Sequence, residues 1–195
     1  MRSLFDSINI LITIMCTSQP YHNIMVTNSS FEPQSAVATS TTSAYVLPNF
    51  TYVPRLHTTT DSVQRFFQAF ALPTTLHPAH NALTQEDQSN LKRQTELEQA
   101  FPDAINVDHI LVLICGHGGR DSRCGLLGPL LRDEFSEKLT QQGIHVLDST
   151  SKAETKLTSA SQHPRPSARV GLISHIGGHK YVYPASYHHS DVHVY

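Results

Sequence analysis

The segment DHILVLICGHGGRDSRCG constrains the fold of this chain more than any other feature. It begins with an unbroken apolar run after Asp108, which has the length and composition of a strand buried on both faces. A loop with four glycines follows, and apolar residues then recur at intervals of three or four before Gly143, a typical helix stop. These residues are Leu127, Leu130, Leu131, Phe135 and Leu139. A buried strand joined to an amphipathic helix of about four turns predicts an α/β unit.

Two further strand candidates extend this unit. IHVLDS follows Gly143, and VGLIS, residues 170–174, follows a linker rich in Ser, Thr, Pro and Arg that runs from Ser149 to Arg169. VGLIS leads directly into the second unusual loop, HIGGHK. Because both loops directly follow a buried strand, we expect them to lie at one edge of the same sheet.

The part of the chain before Asp108 has a weaker pattern. Residues 34–60 carry short β-branched and aromatic pieces that are interrupted by Pro48 and Pro54, which predicts irregular structure with short extended segments. Asp61 is the predicted N-cap of an amphipathic helix that ends before Pro73, and we expect its aromatic residues in the core. Thr84 is predicted to open a second, more polar helix over TQEDQSNLKRQTELEQA. A chain of 195 residues can form one complete domain with additional material.

Charge and composition exclude several classes of protein. The formal net charge is −2 and no run of Lys and Arg exists, so we expect no nucleic-acid partner. The apolar stretch from Ile8 to Met15 is too short to span a bilayer, and a start with Asp6 and only one early cation, Arg2, gives no clear transit peptide. Three cysteines are too few for a disulfide framework and indicate a reducing compartment.

Two pairs of candidate metal ligands follow the buried strands. Cys115 and Cys124 are separated by eight residues, a wider spacing than in zinc knuckles. The surrounding glycines allow backbone amides to approach a cluster; they are Gly116, Gly118, Gly119 and Gly125. His175 and His179 flank a loop that contains two glycines. Two thiolates with two neutral imidazoles form the ligand set of Rieske centres, so we interpret the four residues as one shared metal centre. Zinc remains an alternative occupant.

Other residues of the glycine loop have weaker functional signals. His117 is a spare candidate ligand, although a hydrogen bond to a carbonyl or to Asp121 explains a loop histidine equally well. Arg120 and Arg123 could stabilise a reduced cluster or dock an anionic partner, but solvated arginines are common in loops. The loop lacks the Gly-Lys-Ser/Thr ending of a phosphate-binding P-loop.

The segments ICGHGGRDSRCGLLGPLLRDEF and SHIGGHKY resemble the fungal thioredoxin-like ferredoxins, a family also labelled sucrase/ferredoxin-like. With NIMVTNSSF, SAYVLPNFTYVP and LHPAH, the resemblance covers roughly Pro20 to Tyr181. It implies a thioredoxin-like fold, a mitochondrial setting and a [2Fe-2S] cluster held by two cysteines and two histidines. The Cys-x8-Cys motif of the family falls on Cys115 and Cys124, and its His-x-Gly-Gly-His motif falls on His175 and His179.

The resemblance also predicts the domain organisation. Residues 1–19 match nothing in the family, 20–105 form a partial amino-terminal region, 106–187 form the thioredoxin-like ferredoxin domain, and 188–195 form a tail. The Trp-Tyr-Gly-type segment that follows His-Lys-Tyr in the family and the Cys-rich amino-terminal half are both absent. We therefore expect a member that is shortened at both ends.

The resulting functional hypothesis is an iron-sulfur protein for electron transfer or thiol-redox maintenance, with other redox proteins as partners. Whether it is an enzyme stays open at this point. One alternative is a cluster-free oxidoreductase in which Cys115 and Cys124 cycle through a disulfide. Another is a zinc module in which the metal has only a structural role.

Overall fold

The computed structural model of the chain describes residues 22, 24–32, 40–147, 166–174, 185–189 and 192–194. Its contacts divide the chain into two compact units, one formed by Met1–Ile24 and Pro33–Val107 and the other by Met25–Glu32 and Asp108–Tyr195. Both units contain helices or helical turns and β-strands, so the chain has a mixed α/β architecture. In the portion that the structure describes, no helix has the length and apolar character needed to cross a membrane.

The first unit contains a three-stranded antiparallel sheet in the order β1-β2-β3. Its strands are β1 (Thr41–Val46), β2 (Thr51–His57) and β3 (Ile105–Asn106). The prediction of short extended segments is confirmed, but Pro54 lies inside a strand instead of interrupting one. The pairing shifts between Thr42 and Ala44, opposite Pro54, and such a bulge tolerates a residue that has no backbone N–H to donate.

The predicted amphipathic helix of the first unit is present. Helix α1 (Thr60–Phe66) continues as one π-helical turn (Phe67–Ala71) before Pro73, but its N-cap is Thr59 instead of Asp61. The Thr59 hydroxyl accepts the N–H of Ser62, whereas Asp61 forms an ion pair with Arg65 one turn later. The aromatic residues of this element belong to the core, as expected: Phe66, Phe67 and Phe70 pack with Val53, Val63 and Phe101.

The second predicted helix is shorter than expected. Thr84 is its N-cap, as predicted, but α2 covers only Gln85–Asn90. The rest of this polar region forms a 3-10 helix over Thr95–Ala100, and another 3-10 helix, Pro78–Ala82, precedes α2. No residue of α2 is buried, so nothing in the core stabilises a longer helix there.

The second unit contains a five-stranded mixed sheet in the order β5-β6-β4-β7-β8. Its strands are β4 (Ile110–Cys115), β5 (His145–Val146), β6 (Ser167–Ile173), β7 (Ala185–His189) and β8 (Val192–Val194). β4 runs parallel to β6, and β7 is antiparallel to β4. The three strands predicted from the sequence correspond to β4, β5 and β6.

A single long helix connects β4 to β5. Helix α3 covers Ser122–Gln141, 20 residues, and Gly143 ends it with a φ of 79°, a conformation that favours glycine. Leu139 is buried, and Leu131 and Phe135 pack against the core formed by Ile110, Val112, Ile114 and Ala168. Leu130 was predicted on this apolar face, but it is 60% exposed.

Candidate functional site

The two candidate cysteine ligands come from consecutive elements. Cys115 is the last residue of β4, and Cys124 is the third residue of α3. The sequence interpretation placed Cys124 in the loop, but the helix begins earlier because Asp121 caps it and accepts the N–H of Arg123 at 2.9 Å. Asp121 also binds the Arg123 guanidinium through both of its carboxylate oxygens, at 3.1 and 2.7 Å. These contacts fix the first turn of α3, and therefore the position of Cys124.

The side chains of the two cysteines meet in the interior of the second unit. Cys115 is 3% exposed and Cys124 is 4% exposed, and both are free thiols. Burial raises the pKa of the Cys124 thiol above its usual value, and a hydrogen bond between its side chain and that of Cys115 raises it further. The positive charge of Arg123 lowers the pKa of Cys124 and partly offsets this increase. Two buried thiols in contact form a donor pair that can bind one metal atom, with loss of their protons, or close into a disulfide.

Glycines bring α3 very close to the loop and to the end of β4. A Cβ atom added at Gly125 would lie 2.5 Å from the Cα of Gly118, and one added at Gly128 would lie 2.7 Å from the carbonyl oxygen of Cys115. Both contacts are with backbone, which cannot move aside as a side chain can. The sequence analysis assigned Gly118 and Gly125 a role in approaching a cluster, and it missed Gly128. The spacing of Gly125 and Gly128, three residues apart on one helix face, is the signal that could have identified it.

The predicted histidine ligands, His175 and His179, lie outside the described residues. The chain immediately before them is described. Ile173 pairs with Cys115 in the parallel register of β6 and β4, and the carbonyl of Ile173 accepts the N–H of Gly116 at 3.0 Å. The prediction that both loops begin at the same sheet edge is therefore confirmed. The chain leaves β6 beside Cys115, two residues before His175.

Two of the four predicted donors, Cys115 and Cys124, lie in the part of the chain that the structure describes. Among the residues that the structure describes, no group of three or more His, Cys, Asp or Glu side chains could hold a metal ion. The described half of the predicted set, Cys115 and Cys124, fits a thiolate-bound centre in chemistry and in mutual contact. His117, the spare candidate, is exposed, and its carbonyl accepts the N–H groups of Arg120 and Asp121 at 3.1 Å each.

Comparison with known proteins connects this site to a family. Altered inheritance of mitochondria protein 32 of Meyerozyma guilliermondii is 34% identical over 117 residues, which are 60% of this chain and 33% of the relative. The protein of that name from Clavispora lusitaniae is 41% identical over 71 residues, 36% of this chain and 18% of the relative. Actin patches distal protein 1 of Saccharomyces cerevisiae is 30% identical over 92 residues, 47% of this chain and 25% of the relative.

These matches cover a third or less of each relative, so the chain spans only part of the length of the curated proteins that it matches. No solved structure matches the chain. The sequence model of one family, described as sucrase/ferredoxin-like, matches residues 2–189 and so includes all four candidate ligands and most of both units. On the strength of that match, this chain belongs to the sucrase/ferredoxin-like family.

Proposed function

We propose that the second unit is a thioredoxin-like ferredoxin domain that binds one [2Fe-2S] cluster and serves electron transfer or thiol-redox maintenance in mitochondria. The observation that carries the proposal is the pairing of Cys115 with Ile173. Because of this pairing, the chain leaves β6 toward His175 and His179 next to Cys115, whose thiol contacts that of Cys124. The mitochondrial setting is supported by relatives named for altered inheritance of mitochondria.

In this proposal Cys115, Cys124, His175 and His179 hold the cluster, which when bound supplies one-electron redox chemistry. The contribution of the chain is to bury the thiolates and to fix them on the end of β4 and the first turn of α3. Burial and hydrogen bonds to the sulfur ligands tune the potential of such centres. The exposed Arg120 beside the site favours a redox partner with an acidic docking surface.

Anaerobic reconstitution tests the proposal. The purified chain, incubated with iron and sulfide, is expected to bind two irons and two acid-labile sulfides, and to give visible absorbance and an EPR signal on reduction. The His117→Ala variant is a matched control, because it removes an exposed loop histidine that the proposal leaves out of the ligand set. Stoichiometric zinc without labile sulfide would replace the redox function with a structural metal site.

A second prediction concerns the histidine ligands. His179→Cys is expected to retain a cluster but to lower its reduction potential by on the order of 100 mV, because a thiolate adds negative charge where a neutral imidazole stood. Protein-film voltammetry or EPR-monitored redox titration measures the shift. A variant with an unchanged potential would remove His179 from the set of ligands.

The contact between the two thiols also favours a second candidate function. Without a metal, Cys115 and Cys124 could act as a dithiol that is oxidised to a disulfide while a partner disulfide takes up the two electrons and two protons. Mass spectrometry after thiol alkylation distinguishes this function. A chain that fails to assemble a cluster, but interconverts reversibly between the dithiol and the disulfide, would be an oxidoreductase of this type.

A further inference from the structure

A short extended segment far from the cysteines in sequence lies along the last residues of β6. We call residues Asn28–Phe31 the strap. Ser29 forms an antiparallel bridge with Ile173, and Ser30 donates its N–H to the carbonyl of Leu172 at 2.8 Å. The Ser30 hydroxyl accepts the N–H of Leu172 at 3.0 Å. The strap therefore binds the carboxyl end of β6, where the chain leaves the sheet toward His175.

Asn28, the first residue of the strap, and Ser174 form two hydrogen bonds, one in each direction. Ser174 donates its N–H to the carbonyl of Asn28 at 2.8 Å, and its hydroxyl accepts the N–H of Asn28 at 2.9 Å. Ser174 is adjacent to His175 in sequence, so these two hydrogen bonds hold the last described residue before the candidate ligand. The point from which the chain continues toward His175 is therefore fixed at Ser174.

An aromatic anchor holds the other end of the strap. A Cβ atom at Gly171 would lie 2.5 Å from Cε1 and Cζ of Phe31, so the Phe31 ring occupies the space above this glycine. The same ring lies under the guanidinium of Arg169, 5.6 Å from its centroid, and Arg169 is only 1% exposed. The glycine in β6 is thus explained by the close approach of the ring.

The end of β6 is consequently fixed from both sides. On one side the carbonyl of Ile173 accepts the N–H of Gly116, the residue after Cys115, and on the other side Ser174 is bonded to Asn28. We propose that the strap fixes the end of β6 from which the chain continues to His175 and His179, and that Phe31 and Asn28 thereby control the stability and potential of the centre. This inference rests on the proposed function, because it assigns a task to residues that surround the same site.

Two variants disturb the strap from opposite sides. Phe31→Leu replaces the ring with a smaller aliphatic side chain, and Gly171→Ala places a methyl group where the ring lies. Residues that orient metal ligands typically change metal affinity by about 10-fold or more, so we expect each variant to release iron to a chelator about 10-fold faster than the parent chain. We also expect the EPR g-values and the potential to change. Since both variants disrupt the same contact, that of Phe31 with Gly171, the double variant should release iron no faster than the more severe single variant.

Phe135→Leu is the matched control. Phe135 is a partly buried phenylalanine of the same unit that packs against the core from α3, away from the strap. The Phe135→Leu substitution should lower the melting temperature, but the EPR spectrum and the potential of the cluster should stay as they are in the parent chain. If Phe31→Leu and Phe135→Leu have the same effect on iron release at equal loss of thermal stability, the strap has only a structural role and the inference is wrong.

Hydrogen exchange separates this inference from the proposed function. In the metal-free chain, the amide of Ser174 should exchange faster in Phe31→Leu than in the parent, because its hydrogen bond to Asn28 depends on the strap. A parent chain that binds no cluster contradicts the proposed function, and with it the role of the strap toward the ligands. A parent chain that binds a cluster, with unchanged Ser174 exchange and iron release in the variants, contradicts the strap alone.

Discussion

Replacing Cys124 with serine is expected to eliminate iron-sulfur binding. Cys124 is 4% exposed and in contact with Cys115, so no other thiol of the described residues can take its place, and a serine hydroxyl does not deprotonate as a thiol does on metal binding. We expect iron and labile sulfide in reconstituted Cys124→Ser to fall to the background level of untreated protein. The visible absorbance of the cluster should disappear with them.

Two further variants separate ligation from folding. Burying a hydroxyl in place of a thiol costs about 1–3 kcal/mol when it is not fully hydrogen-bonded, so Cys124→Ala, which leaves no polar group, should also be examined. Cys16→Ser removes the third cysteine of the chain, which lies outside the described residues, and should bind iron as the parent does. Retention of the cluster by both Cys124 variants would contradict the proposed ligand set.

The parts of the site that local patterns determine were predictable. The run that forms β4 is apolar throughout because the side chains on both of its faces are buried, and those of Ile110, Val112 and Ile114 pack against α3. Gly143 is a glycine because the end of α3 requires a positive φ. It was also predictable that the carboxyl ends of β4 and β6 lie at the same edge of the sheet, since these strands are parallel. In each case one element, or one pair of neighbouring elements, determined the structure.

Other features depended on contacts that leave no local signal. The start of α3 was missed because Gly125 is a poor helix residue, and its place in the helix is explained by the cap at Asp121 and by tight packing on Gly118. Pro54 was taken as a strand breaker, but it lies opposite a bulge. The pairing of Asn28 with Ser174 joins residues 146 positions apart, and nothing near either residue indicates it.

Stability of the second unit is expected to fall as the pH decreases from about 6.5 to 4, because of His109. Its side chain is buried, and this burial, together with the nearby charge of Arg169, lowers its pKa to about 4, while Asp108 partly offsets the effect. The folded state therefore keeps His109 neutral, whereas the unfolded state binds a proton near pH 6.5. The stabilisation is complete above pH 6.5 and is lost as the pH falls toward 4, by about 3 kcal/mol in total.

Urea denaturation at pH 7 and pH 4 measures the loss, and an NMR titration of the imidazole measures the pKa directly. Carboxylates also contribute to acid destabilisation, so the difference between variants is decisive: His109→Gln should lack about 3 kcal/mol of the pH dependence that the parent chain has. His145→Gln, which alters an exposed histidine of the same unit, should keep all of it. Because His109 lies just before β4, at the end opposite to Cys115, the predicted effect on stability is independent of the metal centre. An imidazole pKa near 6.5 in the folded chain would show that burial and Arg169 do not keep His109 neutral.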